Sequence, residues 1–270
     1  MLELALIGDP VAHSMSPPMH EAALRELGLE GRYRAMPLSA DELPRVFHEG
    51  LDGFNVTVPH KEAIVPLLDE VSDEARAIGA VNTVRAERSG GVTRWHGTNT
   101  DGAGLIASLR TMGDLPSSAL ILGAGGSARA AAYALAREGV DVVVSARRST
   151  QADGLCDVHS RVHTRPWPPA LDRVLVINAT SATLDDERAR AFADTLPFAR
   201  HEGQTFLDLV YGTLDGAFAR RARDAGAQVI DGRGMLVHQG ALALEFWTGL
   251  PAPVDVMAAV VDRCLEDKRR

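Results

Sequence analysis

The sequence is poor in cysteine, has no excess of basic charge and contains no long apolar run, and each shortage excludes a class of protein. Cys156 and Cys264 are the only cysteines. They lack metal-ligand spacing and come with no secretory signal, so they read as free thiols of a reducing compartment, the cytoplasm, and argue against zinc. His13, His20, His60, His96 and His238 form no metal spacing either, so no metal is expected. The formal net charge is -8. A general nucleic-acid binder needs a basic face to displace counterions from phosphates, and that class is set aside. The most apolar long window, SALILGAGGSARAAAYALAREG, is interrupted by Arg129 and consists of Gly and Ala more than Leu and Ile, so no membrane span is expected. The opening MLELALIGDP has an acidic Glu3 and no basic stretch, and reads as a first strand, not a signal peptide. Repeats and low-complexity tracts are absent.

What is present is the composition of an ordinary folded protein, 46% hydrophobic and 24% charged over 270 residues, a length that suits two domains. Short apolar runs alternate with helical patterns such as PPMHEAALRELGL, where Met19, Ala22, Ala23 and Leu27 recur at helical spacing. This alternation implies parallel α/β architecture. After residue 101 the strands become nearly continuous apolar runs (SALILGAGG, VDVVVSAR, RVLVINATS, TFLDLVYG), the mark of a parallel sheet covered on both faces. The proline-rich TRPWPPALDR reads as a surface connection, and two helices, MLVHQGALALEFWTG and VDVMAAVVDRCLEDK, close the chain.

Two stretches carry chemistry. In GFNVTVPHKEA, residues 53 to 63, a buried strand from Phe54 to Val58 runs into Pro59 and presents His60 and Lys61 at the turn. Taken alone, Lys61 reads as a loop lysine. In ALILGAGGSARA, Gly123, Gly125 and Ala128 stand in the G-x-G-x-x-(G/A) frame between a strand and a helix, so Gly123, Ala124, Gly125, Gly126 and Ser127 form a candidate dinucleotide-phosphate loop. An NAD site would place an acid at the end of the next strand to accept the ribose 2'-hydroxyl. Here that strand ends SARRS, and Arg147 and Arg148 suit the 2'-phosphate of NADP, the alternative being a solvated arginine pair.

Together with GDPVAHSMSPPMH, NVTVPHK, GAVNTV, GTNTDGAG, GAGGSARA, NATS, DLVY and DGRGMLVHQGALALEFWTG, in this order from Gly8 to Gly249, the chain resembles the shikimate dehydrogenase family. The resemblance implies an enzyme that reversibly reduces 3-dehydroshikimate to shikimate with NADPH on the route to aromatic amino acids. It implies a substrate domain over 1–101 and 235–270 and a Rossmann-like doubly wound NADP domain over 102–234. Lys61 matches the family's catalytic lysine and Asp101 its acidic partner. A lysine can act as both base and acid when burial lowers its pKa while a carboxylate holds it and moderates the fall. Ser14 and Ser16 match the hydroxyls that bind the substrate carboxylate, and alone they read as an N-cap before Pro17 and Pro18. Thr57, Asn82, Tyr211 and Gln239 match further substrate contacts, and Gly232 and Met235 match positions beside the nicotinamide.

The chain also departs from the family. Ala146 replaces the asparagine of the usual Asn-Arg-Thr at the cofactor strand, a helical and acidic ATLDDERARAF follows NATS, and Gly212-Thr213 stands for Asn-Pro after DLVY. These touch loop shape near the cofactor more than the chemistry. A quinate/shikimate dehydrogenase with dual cofactor use and a non-catalytic NADP-binding sensor are the rival readings, and the expected assembly is a monomer or homodimer.

Overall fold

The computed structural model describes residues 1–199 and 203–268. The chain forms two compact units, Met1–Gly104 with Val237–Arg270, and Leu105–Leu236. The sequence suggests divisions after Asp101 and Gly234, and both structural boundaries fall a few residues on, inside helices.

The first unit opens with strand β1 (Leu2–Gly8), helix α1 (Ser16–Glu26), β2 (Gly31–Pro37), β3 (Gly53–Val56), β4 (Glu70–Val71) and α2 (Asp73–Ile78). It continues with β5 (Thr83–Ser89), β6 (Val92–Thr98) and the start of α3 (Asp101–Arg110). Its sheet has the order β2-β1-β3-β5-β6-β4. The sheet is mixed, which corrects the parallel expectation for this half: β5 pairs antiparallel with both β3 and β6. The cause is local. Between Ser89 and Val92 only Gly90 and Gly91 intervene, both with positive φ, and a two-residue turn of that kind returns the chain antiparallel. Strand β3 closes at Val56, short of the expected Val58, and the Val58 carbonyl accepts the Asp9 N–H at 2.9 Å.

The second unit contains β7 (Ser118–Leu122), α4 (Gly126–Arg137), β8 (Asp141–Ser145), α5 (Ser149–Asp153), β9 (Val162–Thr164) and β10 (Leu175–Asn178). After these come α6 (Asp186–Asp194), β11 (Thr205–Asp208), α7 (Ala217–Asp224), β12 (Gln228–Asp231) and the first turn of α8 (Arg233–Thr248). Helix α9 (Val254–Lys268) returns to the first unit and packs along α1. The second sheet, β12-β11-β10-β7-β8-β9, is parallel throughout. Its order reverses between β7 and β10, and such a switch point is where open α/β sheets bind ligands.

Both faces of that sheet are covered, as its continuous apolar strands require. Ile121, Val142, Val144 and Ile177 enter one core, while Leu120, Leu122, Val143 and Val176 enter another with Phe206 and Phe218. Neighbouring residues of a strand point to opposite faces, so one run of sequence feeds both cores. The segment ATLDDERARAF is helical as read, with Asp185 capping α6 by accepting the Arg188 N–H at 2.9 Å.

Candidate active site

One edge of the first sheet gathers most of the expected substrate residues. Strands β1, β3 and β6 run in the same direction, so their carboxyl ends lie together, with the amino end of β5 beside them. Ser14 and Ser16 follow β1, Thr57 and Lys61 follow β3, and Asp101 opens α3 just after β6. Asn82 immediately precedes β5. The turn that follows β3 delivers Lys61 to the edge where the other ends converge.

Lys61 Nζ donates to Asp101 Oδ2 at 2.6 Å, with only 11% and 4% of the two side chains exposed. The backbone fixes both partners: Val81 N–H bonds the Lys61 carbonyl at 2.8 Å, and Asp101 N–H donates to Asn99 Oδ1 at 3.0 Å. The second carboxylate oxygen of Asp101 accepts from Asn82 Nδ2 at 2.8 Å. The same amide lies 3.2 Å from Gln239 Oε1 and 2.9 Å from Thr100 Oγ1. Gln239 comes this close to α3 because Gly104 has no side chain: a Cβ there would stand 2.6 Å from the Gln239 amide nitrogen. Lys61, Asp101, Asn82 and Gln239 are thus one bonded group, drawn from residues up to 178 positions apart (Lys61 to Gln239).

A second run of bonds reaches Ser16. Burial pushes the Tyr33 phenol well above its usual pKa range, and the Ser16 hydroxyl bonds its oxygen. Tyr33 donates to Asn55 Oδ1 at 2.7 Å, and Asn55 Nδ2 donates to the Asn82 carbonyl and to Thr83 Oγ1, both at 3.0 Å. Nothing in the sequence motifs singles out Tyr33, Asn55, Thr83 or Thr100. The one available signal is a polar Asn55 inside an apolar strand; Tyr33 gives none, because its partner is 22 residues away.

Ser16 lies inside α1 and is not its cap. The cap position is Met15, which makes no side-chain cap bond, while Ser14 Oγ accepts the Ser16 N–H at 3.1 Å. Thr57 is half-buried, and its carbonyl accepts the His60 N–H at 2.9 Å. His60 is structural, its Nε2 lying 2.7 Å from the Leu38 carbonyl oxygen.

The remaining expected residues lie on the second unit. Gly123 has φ +116, a region closed to most side chains, and a Cβ there would meet Thr180 Cγ2 at 3.0 Å. Around Gly125 a Cβ would meet nothing within 4 Å. Gly125 caps α4 without a side-chain bond, and the first turn of the helix, Gly126 and Ser127, follows directly after Ala124 and Gly125. Such a terminus suits a phosphate. Arg147 and Arg148 are exposed just beyond β8, and neither guanidinium has a hydrogen-bond or ion-pair partner among the described residues. This donor set fits a dinucleotide bearing an additional phosphate.

Gly232 serves packing as well, since a Cβ there would lie 2.0 Å from the Leu209 carbonyl oxygen. Met235 is buried in the unit's core, and Tyr211 is half-exposed in the turn after β11. Among the described residues, no cluster of histidine, cysteine or acid side chains could hold a metal, and no helix is long and apolar enough to cross a membrane.

A doubly wound parallel sheet with a glycine-rich strand-to-helix turn, in one chain with a buried lysine–carboxylate pair, is the arrangement expected of a two-unit dehydrogenase of the α/β class. Residues 6–84 match the family model for the shikimate dehydrogenase substrate binding domain, and residues 232–261 match that for the shikimate 5'-dehydrogenase C-terminal domain. The shikimate dehydrogenase (NADP(+)) of Anaeromyxobacter sp. (strain Fw109-5) is 41% identical over 95% of this chain and 94% of its own. That of Exiguobacterium sp. (strain ATCC BAA-1283 / AT1b) is 39% identical over 98% of this chain and 100% of its own. The crystal structure of shikimate 5-dehydrogenase from Thermus thermophilus, in complex with NADP(H) and shikimate, superposes with a TM-score of 0.84 at 39% identity, covering 98% of this chain and 100% of that one. The chain belongs to the shikimate dehydrogenase family.

Proposed function

We propose that this protein is an NADP-dependent shikimate dehydrogenase, interconverting 3-dehydroshikimate and shikimate. The observation that carries the reading is the buried Lys61–Asp101 pair, locked from behind by Asn82. Lys61 gives a proton to the substrate oxygen during reduction and takes it back during oxidation. Asp101 holds Nζ in place, and Asn82 holds Asp101 by its other oxygen, so the proton-transfer group does not swing between rotamers. Asn82 and Gln239 present amides to substrate hydroxyls, Thr57 offers a hydroxyl from the neighbouring turn, and Ser14 and Ser16 bind the carboxylate as neutral donors that add no second cation near Lys61.

NADPH, when bound, supplies the hydride. Gly123 to Ser127 bind its pyrophosphate through backbone amides, and Arg147 with Arg148 takes the 2'-phosphate through charge-assisted bonds. Ala146 offers no side-chain amide to the adenosine end, so discrimination between NADP and NAD rests on the arginines. The two cysteines, Cys156 and Cys264, are free, in keeping with a reducing cytoplasm, where we place the protein as a monomer or homodimer. The test is absorbance of the reduced nicotinamide with shikimate and each cofactor in turn. Turnover with NADP, and far less with NAD, is expected. Equal use of both would move the protein to the dual-cofactor quinate/shikimate reading, and binding without turnover would make it a sensor.

A further inference from the structure

Asp208 stands at the end of β11 and is 1% exposed. At the same level of the sheet, β10 ends in Asn178 and β7 in Leu122, both neutral, while Asp231 on the edge strand β12 is only half-buried. Oδ1 of Asp208 accepts three bonds from three chain segments: Asn178 Nδ2 at 2.9 Å, Thr183 Oγ1 at 3.1 Å and the Val210 N–H at 3.1 Å. Its Oδ2 is buried and has no hydrogen-bond partner among the described residues. Burial accordingly pushes the carboxyl up to about 6. An acid kept in such a place, where one oxygen does all the bonding, asks for a role beyond filling space.

The bonds of Asp208 lead to the glycine-rich turn. Asn178, held by Asp208 at its amide nitrogen, uses its Oδ1 to accept from Thr180 N–H at 3.0 Å and from Thr180 Oγ1 at 2.7 Å. Thr180 Oγ1 in turn accepts the Ala182 N–H at 3.2 Å. The loop thus fixed is the one whose Thr180 methyl and Ala179 carbonyl lie 3.0 and 3.1 Å from where a Cβ on Gly123 would be. On the other side, the Leu209 N–H donates to the Asn178 carbonyl at 2.9 Å, and the Gly212 N–H donates to Asp231 Oδ2 at 2.8 Å.

We propose that Asp208, acting through Asn178 and Thr180, is a positioning residue for the cofactor-binding turn, setting how closely the loop after β10 abuts Gly123 and so the shape offered to the dinucleotide phosphates. The inference rests on the reading of Gly123 to Ser127 as the NADP site. Asp208 touches no ligand itself. It transmits position from the sheet to the turn through a path of hydrogen bonds, all within one unit.

The test is the dissociation constant of NADPH, read from its own fluorescence, for the whole protein and four variants. Asp208→Asn keeps a carbonyl oxygen for the three donors and should bind NADPH within about threefold of the unsubstituted protein, whereas Asp208→Ala should bind about tenfold more weakly. Thr183→Val, a milder change, should weaken binding about threefold and keeps the test available if Asp208→Ala does not fold. Phe218→Leu, in the core against the same sheet, should lower the melting temperature without changing NADPH affinity. Failure of the unsubstituted protein to bind NADPH would overturn the cofactor reading and this inference together. Normal NADPH binding by Asp208→Ala or by Thr183→Val, or equal weakening by Phe218→Leu, would overturn the positioning role alone.

Discussion

Asp101 in the first unit and Asp208 in the second are both almost fully buried, at 3% and 1% exposed, and both accept several hydrogen bonds. They differ in the second oxygen. Asp101 meets a lysine ammonium on one oxygen and an amide on the other, whereas Asp208 has all its donors on Oδ1 and, among the described residues, none on Oδ2. A buried charge is tolerated when paired and bonded at every lone pair, and otherwise tends to neutralise. The first unit thus holds its buried acid in an ion pair, at the centre proposed to move the proton. The second keeps an acid that takes up a proton near neutrality. The first unit also contains an opposite case, His20, fully buried, stacked on Tyr33 at 4.4 Å between ring centres, with neither ring nitrogen bonded among the described residues.

Removing a partner from the paired site should give the largest effect. If, as proposed, the lysine moves a proton and the cofactor binds the other unit, Lys61→Ala should lower kcat by about 10² to 10⁴ with little change in NADP affinity. Steady-state kinetics with a parallel cofactor titration checks this, and a near-normal kcat would remove Lys61 from the chemistry.

His20 should give the next effect, on stability. Burial lowers its pKa from 6.5 to about 3, so the folded state refuses a proton that the unfolded chain takes up. The stability linked to neutral His20 is present above 6.5 and lost as pH falls toward 3, to a limit of about 4 to 5 kcal/mol. His20→Phe, which keeps a ring to stack, should flatten the acid limb of a melting-temperature profile over that window.

Asp208 should act with the reverse sign and a smaller size. Its carboxyl is raised from 3.8 to about 6, so the folded state holds the proton more tightly, and the linked stability is full below 3.8 and lost as pH rises through about 6. The difference amounts to about 3 kcal/mol. Thermal melts of the unsubstituted protein relative to Asp208→Asn should show its relative stability falling from about pH 4 to about pH 7. A constant difference would mean that the carboxyl does not titrate in this range.

Arg147 should show the smallest effect, because it is exposed to water and salt. Arg147→Ala should weaken NADP binding about tenfold and leave NAD nearly unchanged, and the preference for NADP should shrink with added salt. Competitive titration of the two cofactors measures both.

The second unit is the easier half to read from sequence. Its strands are buried on both faces, so their apolar runs stand out without any knowledge of partners, and its glycine-rich turn is contiguous from Gly123 to Ser127. The first unit is harder. Its β5–β6 hairpin is announced only by Gly90-Gly91 between two short runs, which the general strand–helix alternation hides among parallel strands. The contacts that build the site are non-local: Lys61 to Asp101, Asn82 to Gln239, Tyr33 to Asn55. No local pattern encodes such pairs, and only the family resemblance joins Lys61 to Asp101 in advance of the structure. Asp208 and Asn178 stand in view within DLVY and NATS, but strand-end polar residues are common, and their bond depends on the register of two strands.

The most direct test of the paired site is a double-mutant cycle in kcat over Lys61→Ala, Asp101→Asn and the double variant. If Asp101 works by holding Lys61, the second substitution should cost little once the first is made, and the double variant should be slowed by far less than the product of the two single effects. Single effects that multiply would show two residues acting independently and would contradict the account of Lys61 and Asp101 as one proton-transfer unit.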